Sequence, residues 1–265
     1  MINPFFHTVA IMTSGGPSPE FVGSGVLLRI DGIDYVASAS HVVDELSGPV
    51  GIAVVKGNEV RGFMDKPEGI VAVKQQDRKY EEGLDLALLL ATSNYRNFLV
   101  DEGMSFFDLD KNNPPPVTVD CLISGFPARK NYYDRQKMRY ADTCACCHIQ
   151  SFMENAERVR SIGGDPKFHF ALETKKRRDF WDASTNKKIQ ELFDLDGMSG
   201  GGVWHMPSGQ GAKIPECATG IAGIFVEDRD TRNDRQSMAK VVKIEAIYNL
   251  IKFARSQRET LFVVE

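Results

Sequence analysis

The sequence predicts an all-β protein built as two β-rich halves, joined by a linker and finished by one amphipathic helix. Three observations lead there. Short apolar segments bounded by tight turns recur up to about residue 242, with few helical patterns between them. Three consecutive prolines, 114 to 116, cannot donate to a ladder and break the series near its middle. After residue 242 the apolar spacing changes to that of a helix.

Taken in order, FVGSGVLLRI (21–30) and IDYVASASHVV (33–43) flank Asp31-Gly32, a pair suited to the left-handed angles of a two-residue hairpin turn. VGIAVVKGNEVRGFM (50–64) repeats the pattern around Lys56-Gly57-Asn58, and IVAVKQQ and LDLALLLAT add two further strands. These make an N-terminal unit over residues 1–100, followed by a linker over 101–116. VTVDCLISGFPA, FHFALET, GGVWHMP, ATGIAGIFVED and SMAKVV then make a second unit over 117–242. SFMENAERVRSIGG predicts a short helix near 151–162 with a glycine stop. Ile244, Ile247, Tyr248 and Ile251 share one face and predict the closing helix over 243–256. Short strands in such series fit a barrel or a sandwich.

Composition narrows the function classes. With 265 residues and a net charge of −4, the chain is not built to coat nucleic acid or an anionic membrane. No run approaches the ~20 apolar residues that cross a bilayer, and the first twenty residues lack a basic leader, so a cytoplasmic location is expected. Five cysteines, three of them in TCACCH, read as reduced thiols in a reducing compartment.

The chemistry gathers around three residues. Hydrolysis of an amide by serine needs a hydroxyl, an imidazole to take its proton, a carboxylate to orient that imidazole, and N–H groups aimed at the developing oxyanion. In DLDGMSGGGVW, Ser199 lies between Gly197 and the glycines 200 to 202, which permit a tight turn and a close substrate approach. The N–H groups of Gly197 and Ser199 are the oxyanion donors expected of that turn. Taken alone, it reads equally well as a glycine-rich connection between strands. His41 ends the strand YVASASH, where a rigid scaffold presents an imidazole to a cleft; alone it reads as a surface or core histidine. Asp85 opens the apolar strand LDLALLL, where a carboxylate is costly to bury without a partner.

Together, SASH, LDLALL and GMSGG resemble the trypsin-like serine peptidases, nearest to bacterial, disulfide-free members such as the HtrA and glutamyl-endopeptidase groups. ISGFP and TGIAGIF resemble the family's early second-barrel strand and the strand lining its substrate channel, so the likeness spans about residues 5 to 245. The resemblance implies two six-stranded antiparallel β-barrels of the chymotrypsin-like kind, with the first carrying His41 and Asp85 and the second carrying Ser199. It implies a cofactor-free serine endopeptidase in which His41 is base and then acid, Asp85 fixes its tautomer, and Ser199 forms the acyl-enzyme. Phe193, Asp196, Ile221, Ala222 and Gly223 are the substrate-binding positions it implies, and no acidic residue is assigned to a pocket floor.

Met198 stands where many members carry the aspartate that pairs with a new N-terminus, so activation by trimming is not expected, and control falls to loops or a regulatory protein partner. No PDZ module is expected. The expected partners are a protein or peptide substrate and that regulator, with neither nucleic acid nor membrane among them. The rival reading is a catalytically silent or partner-gated barrel used as a binding module.

Two further signals are set aside. Cys144, Cys146, Cys147 and His148, with Cys121, are spaced more tightly than the usual zinc pairs and have no second pair nearby, so no metal is expected. RKNYYDRQKMR (129–139) and KKRR (175–178) read as solvated loops that frame a cleft.

Overall fold

The structure is a computed structural model and describes residues 2–13, 20–44, 49–56, 59–65, 70–73, 84–112, 121–127, 132–134, 139–141, 145–149, 152–153, 156–174, 179–182, 187–189, 195–206, 218–231 and 236–256. Its first sheet contains β1 (Thr8–Thr13), β2 (Glu20–Ile30), β3 (Ile33–Ser38), β4 (Val50–Lys56), β5 (Glu59–Asp65), β6 (Ile70–Val73) and β7 (Leu86–Leu90). They run antiparallel in the order β5-β4-β1-β2-β3-β7-β6, and β8 (Phe107–Asp108) pairs in parallel with β2. Two helices accompany this sheet: α1 (Ser40–Asp44), which follows β3, and α2 (Ser93–Asp101), which follows β7.

The second sheet is antiparallel throughout. Its strands are β9 (Cys121–Gly125), β12 (Ala145–Ile149), β13 (Phe152–Met153), β14 (His169–Thr174), β15 (Asp179–Asp182), β16 (Lys188–Ile189), β17 (Gly202–His205), β18 (Gly220–Thr231) and β19 (Gln236–Lys243). Their order is β13-β14-β19-β18-β17-β9-β12-β15-β16, while β10 (Tyr132–Asp134) and β11 (Arg139–Ala141) form a separate hairpin. α3 (Ala156–Ser161), α4 (Ile244–Ser256) and a 3-10 turn at Pro4–His7 complete the described elements. The all-β class therefore holds. Among the described residues, neither path of ladders closes on itself.

Local signals explain most of these elements. Asp31 and Gly32 take φ values of 49° and 76°, both left-handed, which matches their turn to the twist of the strands they join. The continuous apolar run of β7 has a two-sided explanation. Leu86 and Leu88 enter a core shared by both sheets, whereas Ala87 and Leu89 enter the core of the first sheet alone. β17 repeats this division, with Trp204 in the shared core and Val203 in the core of the second sheet. A side chain buried in this way contributes about 1.5–3 kcal/mol, so the shared core binds the two sheets into one packed body. α4 closes it by burying Ile244, Ile247 and Ile251 in the same cluster.

Part of the stretch expected to be linker pairs with the first sheet. Phe107 and Asp108 pair with Leu28 and Arg29 of β2, and residues 113–120, with the three prolines, lie outside the described residues. α2 was not anticipated. Among the described residues no helix is long and apolar enough to cross a membrane.

Candidate active site

The site lies where the first sheet meets the turn that precedes β17. β3 ends at Ser38, and the short α1 that follows presents His41 with 48% of its side chain exposed. Asp85 sits immediately before β7, nearly buried, with a φ of 45°. A left-handed φ is uncommon outside glycine, and aspartate is among the residues that tolerate it best. That backbone angle places the carboxylate against α1, where three donors meet it. His41 Nδ1 lies 2.8 Å from Oδ2, the His41 N–H donates to Oδ1 at 3.0 Å, and the Ser40 hydroxyl donates to Oδ1 at 2.8 Å.

Burial pushes the Asp85 carboxyl upward, but the His41 ring and backbone and the Ser40 hydroxyl outweigh it and hold the group down at about 2. An ionised carboxylate only accepts, so the proton of a neutral His41 is on Nδ1 and Nε2 keeps its lone pair. The arrangement is that of an oriented base.

The second sheet supplies the serine turn. Met198 N–H donates to the Leu195 carbonyl at 3.0 Å, which closes a turn with Gly197 at a φ of 81°. Gly200 N–H donates to Phe225 O and Gly201 N–H to Met198 O, each at 2.8 Å. The N–H groups of Gly197 and Ser199 are different, because neither meets an acceptor among the described residues. They are the two donors expected of an oxyanion site.

The serine turn also packs tightly on the corner that carries the histidine. A Cβ on Gly200, whose φ is 86°, would lie 2.0 Å from Ser24 O and 2.2 Å from Ser38 Oγ. A Cβ on Gly23 would lie 2.7 Å from Val42 and 3.0 Å from Ser199 O. Glycine at both positions lets the serine backbone approach within two or three residues of His41. The Ser199 hydroxyl itself makes no hydrogen bond among the described residues. Contacts of this kind often form only once substrate is bound.

The remaining expected positions are more scattered. Asp196 is exposed at the tip of the serine turn, and Phe193 lies outside the described residues. Ile221 is buried in the shared core and Ala222 in the second core, while a Cβ on Gly223 would lie 2.1 Å from Val242 O. Cys144 also lies outside the described residues; Cys146, Cys147 and His148 lie on β12, and Cys121 is buried on β9. Two residues of the site were not singled out from the sequence. Ser40 bonds Asp85, and Ser24 bonds the serine turn. The only local sign of the first was a hydroxyl beside a strand-end histidine, and the second had none.

No family profile matches the chain, and no curated protein matches it. Among the solved structures similar to it is one from work on the coupled folding and binding of the intrinsically disordered VPg protein of Sesbania mosaic virus. The two share 14% identity over 93% of this chain and 90% of that one, with a TM-score of 0.47. The reading of the site rests on its own geometry.

Proposed function

We propose that the protein is a serine endopeptidase of the chymotrypsin-like kind, with two β-barrel halves and a His41–Asp85–Ser199 triad. The observation that carries this reading is the pairing of His41 Nδ1 with a buried, ionised Asp85 beside a serine turn whose Gly197 and Ser199 N–H groups meet no acceptor among the described residues. Ser199 Oγ attacks the substrate carbonyl carbon, and His41 Nε2 takes the hydroxyl proton. The carbonyl oxygen, now negative, accepts from Gly197 and Ser199 N–H. The C–N bond breaks as His41 passes its proton to the leaving amine. Water then attacks the ester, again with His41 as base, and releases the acid and the free serine.

An extended peptide has a natural seat. β17 pairs with β18 only as far as Ile224, and beyond it no described strand covers that edge of β18, which begins beside the serine turn. Added strands dock on such edges through backbone hydrogen bonds.

The unengaged Ser199 hydroxyl favours a second reading, in which the same fold is held inactive until a protein partner or substrate closes the site. Labelling with a fluorophosphonate probe separates the two. Wild type is expected to label, and Ser199→Ala and His41→Ala are expected not to. A folded wild type that stays unlabelled, alone and with added lysate, overturns the peptidase reading in favour of a silent binding module.

A further inference from the structure

Ser24, on β2, is fully buried and contacts the serine turn from beneath. Its N–H donates to Ser199 O at 2.8 Å, and its hydroxyl donates to Gly197 O at 2.9 Å. The same hydroxyl accepts from Phe126 N–H at 2.9 Å, and Ser24 O accepts from the Ser38 hydroxyl at 2.8 Å. Every hydrogen-bonding atom of this residue is therefore engaged, and two of the four bonds end on the serine turn.

Peptide planarity turns those two bonds into an orientation. Because each peptide unit is rigid, fixing its oxygen also fixes the opposite direction of its N–H. The unit between Gly197 and Met198 is held by Ser24 Oγ at its oxygen and by Leu195 O at its N–H. The unit between Ser199 and Gly200 is held by Ser24 N–H at its oxygen and by Phe225 O at its N–H. The unit between them, from Met198 to Ser199, has its oxygen on Gly201 N–H, so its own N–H points the other way and remains free. With the units on both sides immobilised, the Ser199 N–H has no rotation left; the Gly197 N–H lies in the preceding Asp196–Gly197 unit, which joins at the Gly197 α-carbon the unit whose oxygen Ser24 Oγ holds.

We propose that the Ser24 side chain is a positioning residue that holds the Gly197–Gly200 turn with its two free N–H groups outward. For its chemistry this role rests on the peptidase reading; for its geometry it does not. It couples three parts of the fold, since one hydroxyl joins β2, the serine turn and the residue that follows β9.

The test compares Ser24→Ala with Ser124→Ala. Ser124 is likewise fully buried, and its hydroxyl bonds Thr8 and Trp204 at 2.7 and 2.9 Å, so its loss removes comparable hydrogen bonds without freeing a carbonyl of the turn. Ser24→Ala is expected to slow fluorophosphonate labelling by about 10²-fold, the scale of a lost oxyanion donor, while Ser124→Ala stays within about two-fold of wild type. Amide exchange at Met198, Gly200 and Gly201 is expected to quicken by about ten-fold in Ser24→Ala alone. Wild type provides a check that needs no variant: those three amides exchange slowly, and those of Gly197 and Ser199 exchange freely.

Equal exchange at all five amides, or a Ser24→Ala that labels and exchanges like wild type, overturns the proposal. So does equal slowing of labelling in both variants. If wild type takes no label, the peptidase reading falls, and amide exchange still decides whether Ser24 holds the turn.

Discussion

Burial alone would push the Asp85 carboxyl up; three donors from α1 reverse that and hold it at about 2, against an ordinary 3.8. The folded value is the lower one, so the stabilising contribution is complete above pH 3.8 and is lost as pH falls through 3.8 towards 2. Its size is about 2 kcal/mol. Asp85→Asn should therefore flatten the acid limb of a stability profile measured between pH 5 and 2. It should also lower hydrolysis or labelling by about 10⁴-fold near neutral pH, because the imidazole loses its tautomer lock. An Asp85→Asn variant that labels like wild type would remove Asp85 from the triad. At this scale the sequence carries local marks at the histidine expected to end a strand, which lies instead in the short helix after β3, and at the serine among glycines. Ser24 and Ser40 were silent because serine is ordinary in turns, and Ser24 lies 173 positions from Gly197, the residue whose carbonyl it binds.

Among the elements, β7 shows how an uninterrupted apolar run follows from burial on both faces. Leu88 is completely buried in the shared core, so Leu88→Ala should cost about 2–5 kcal/mol, visible as a lower urea midpoint. Little change in the midpoint would mean that the two sheets do not share that core. The closing helix was legible because Ile244, Ile247 and Ile251 repeat at helical spacing, and all three are buried. α2 was not. Its core-facing residues reduce to Tyr95 and Leu99, and its start depends on one side chain, Thr92, whose hydroxyl accepts from Tyr95 N–H at 3.0 Å. A helix so short, beside a stretch already read as linker, has too few apolar repeats to declare a period. The pairing of β8 with β2 was equally invisible, since two residues carry no alternation.

Over the whole molecule, three histidines among the described residues are made harder to protonate. Burial lowers His7, His169 and His205 below the ordinary 6.5, and the Lys240 charge lowers His169 further. The unfolded chain therefore takes up protons first, and stability falls as pH drops below 6.5 towards the folded values. His7 ties this to the junction between the halves: its ring stacks on Trp204 with centroids 5.5 Å apart, and Nδ1 donates to Ser105 O at 2.7 Å. The melting temperature should be lower at pH 5.5 than at pH 7.5, and His169→Gln should narrow the difference. A profile flat from pH 7.5 to 5.5 would show that the rings titrate alike in both states. Strand spacing and the proline break pointed to two β-rich halves; the core shared by the two sheets was not readable, because a sequence records which residues are apolar and not which of two interiors they enter.

The close approach of the serine turn to its surroundings also has an evolutionary side. A Cβ on Gly200, Gly201 or Gly223 would lie 2.0, 2.0 and 2.1 Å from backbone oxygens, distances that no rotamer change relieves. Ser199 faces no such limit, since its hydroxyl has no partner to lose among the described residues. In a randomised library sorted for folded protein alone, position 199 should drift to other small residues while the three glycines stay fixed. On the proposed peptidase reading, loss of the Ser199 nucleophile is a short mutational step that leaves the scaffold intact, and descendants that bind without cutting lie one substitution away.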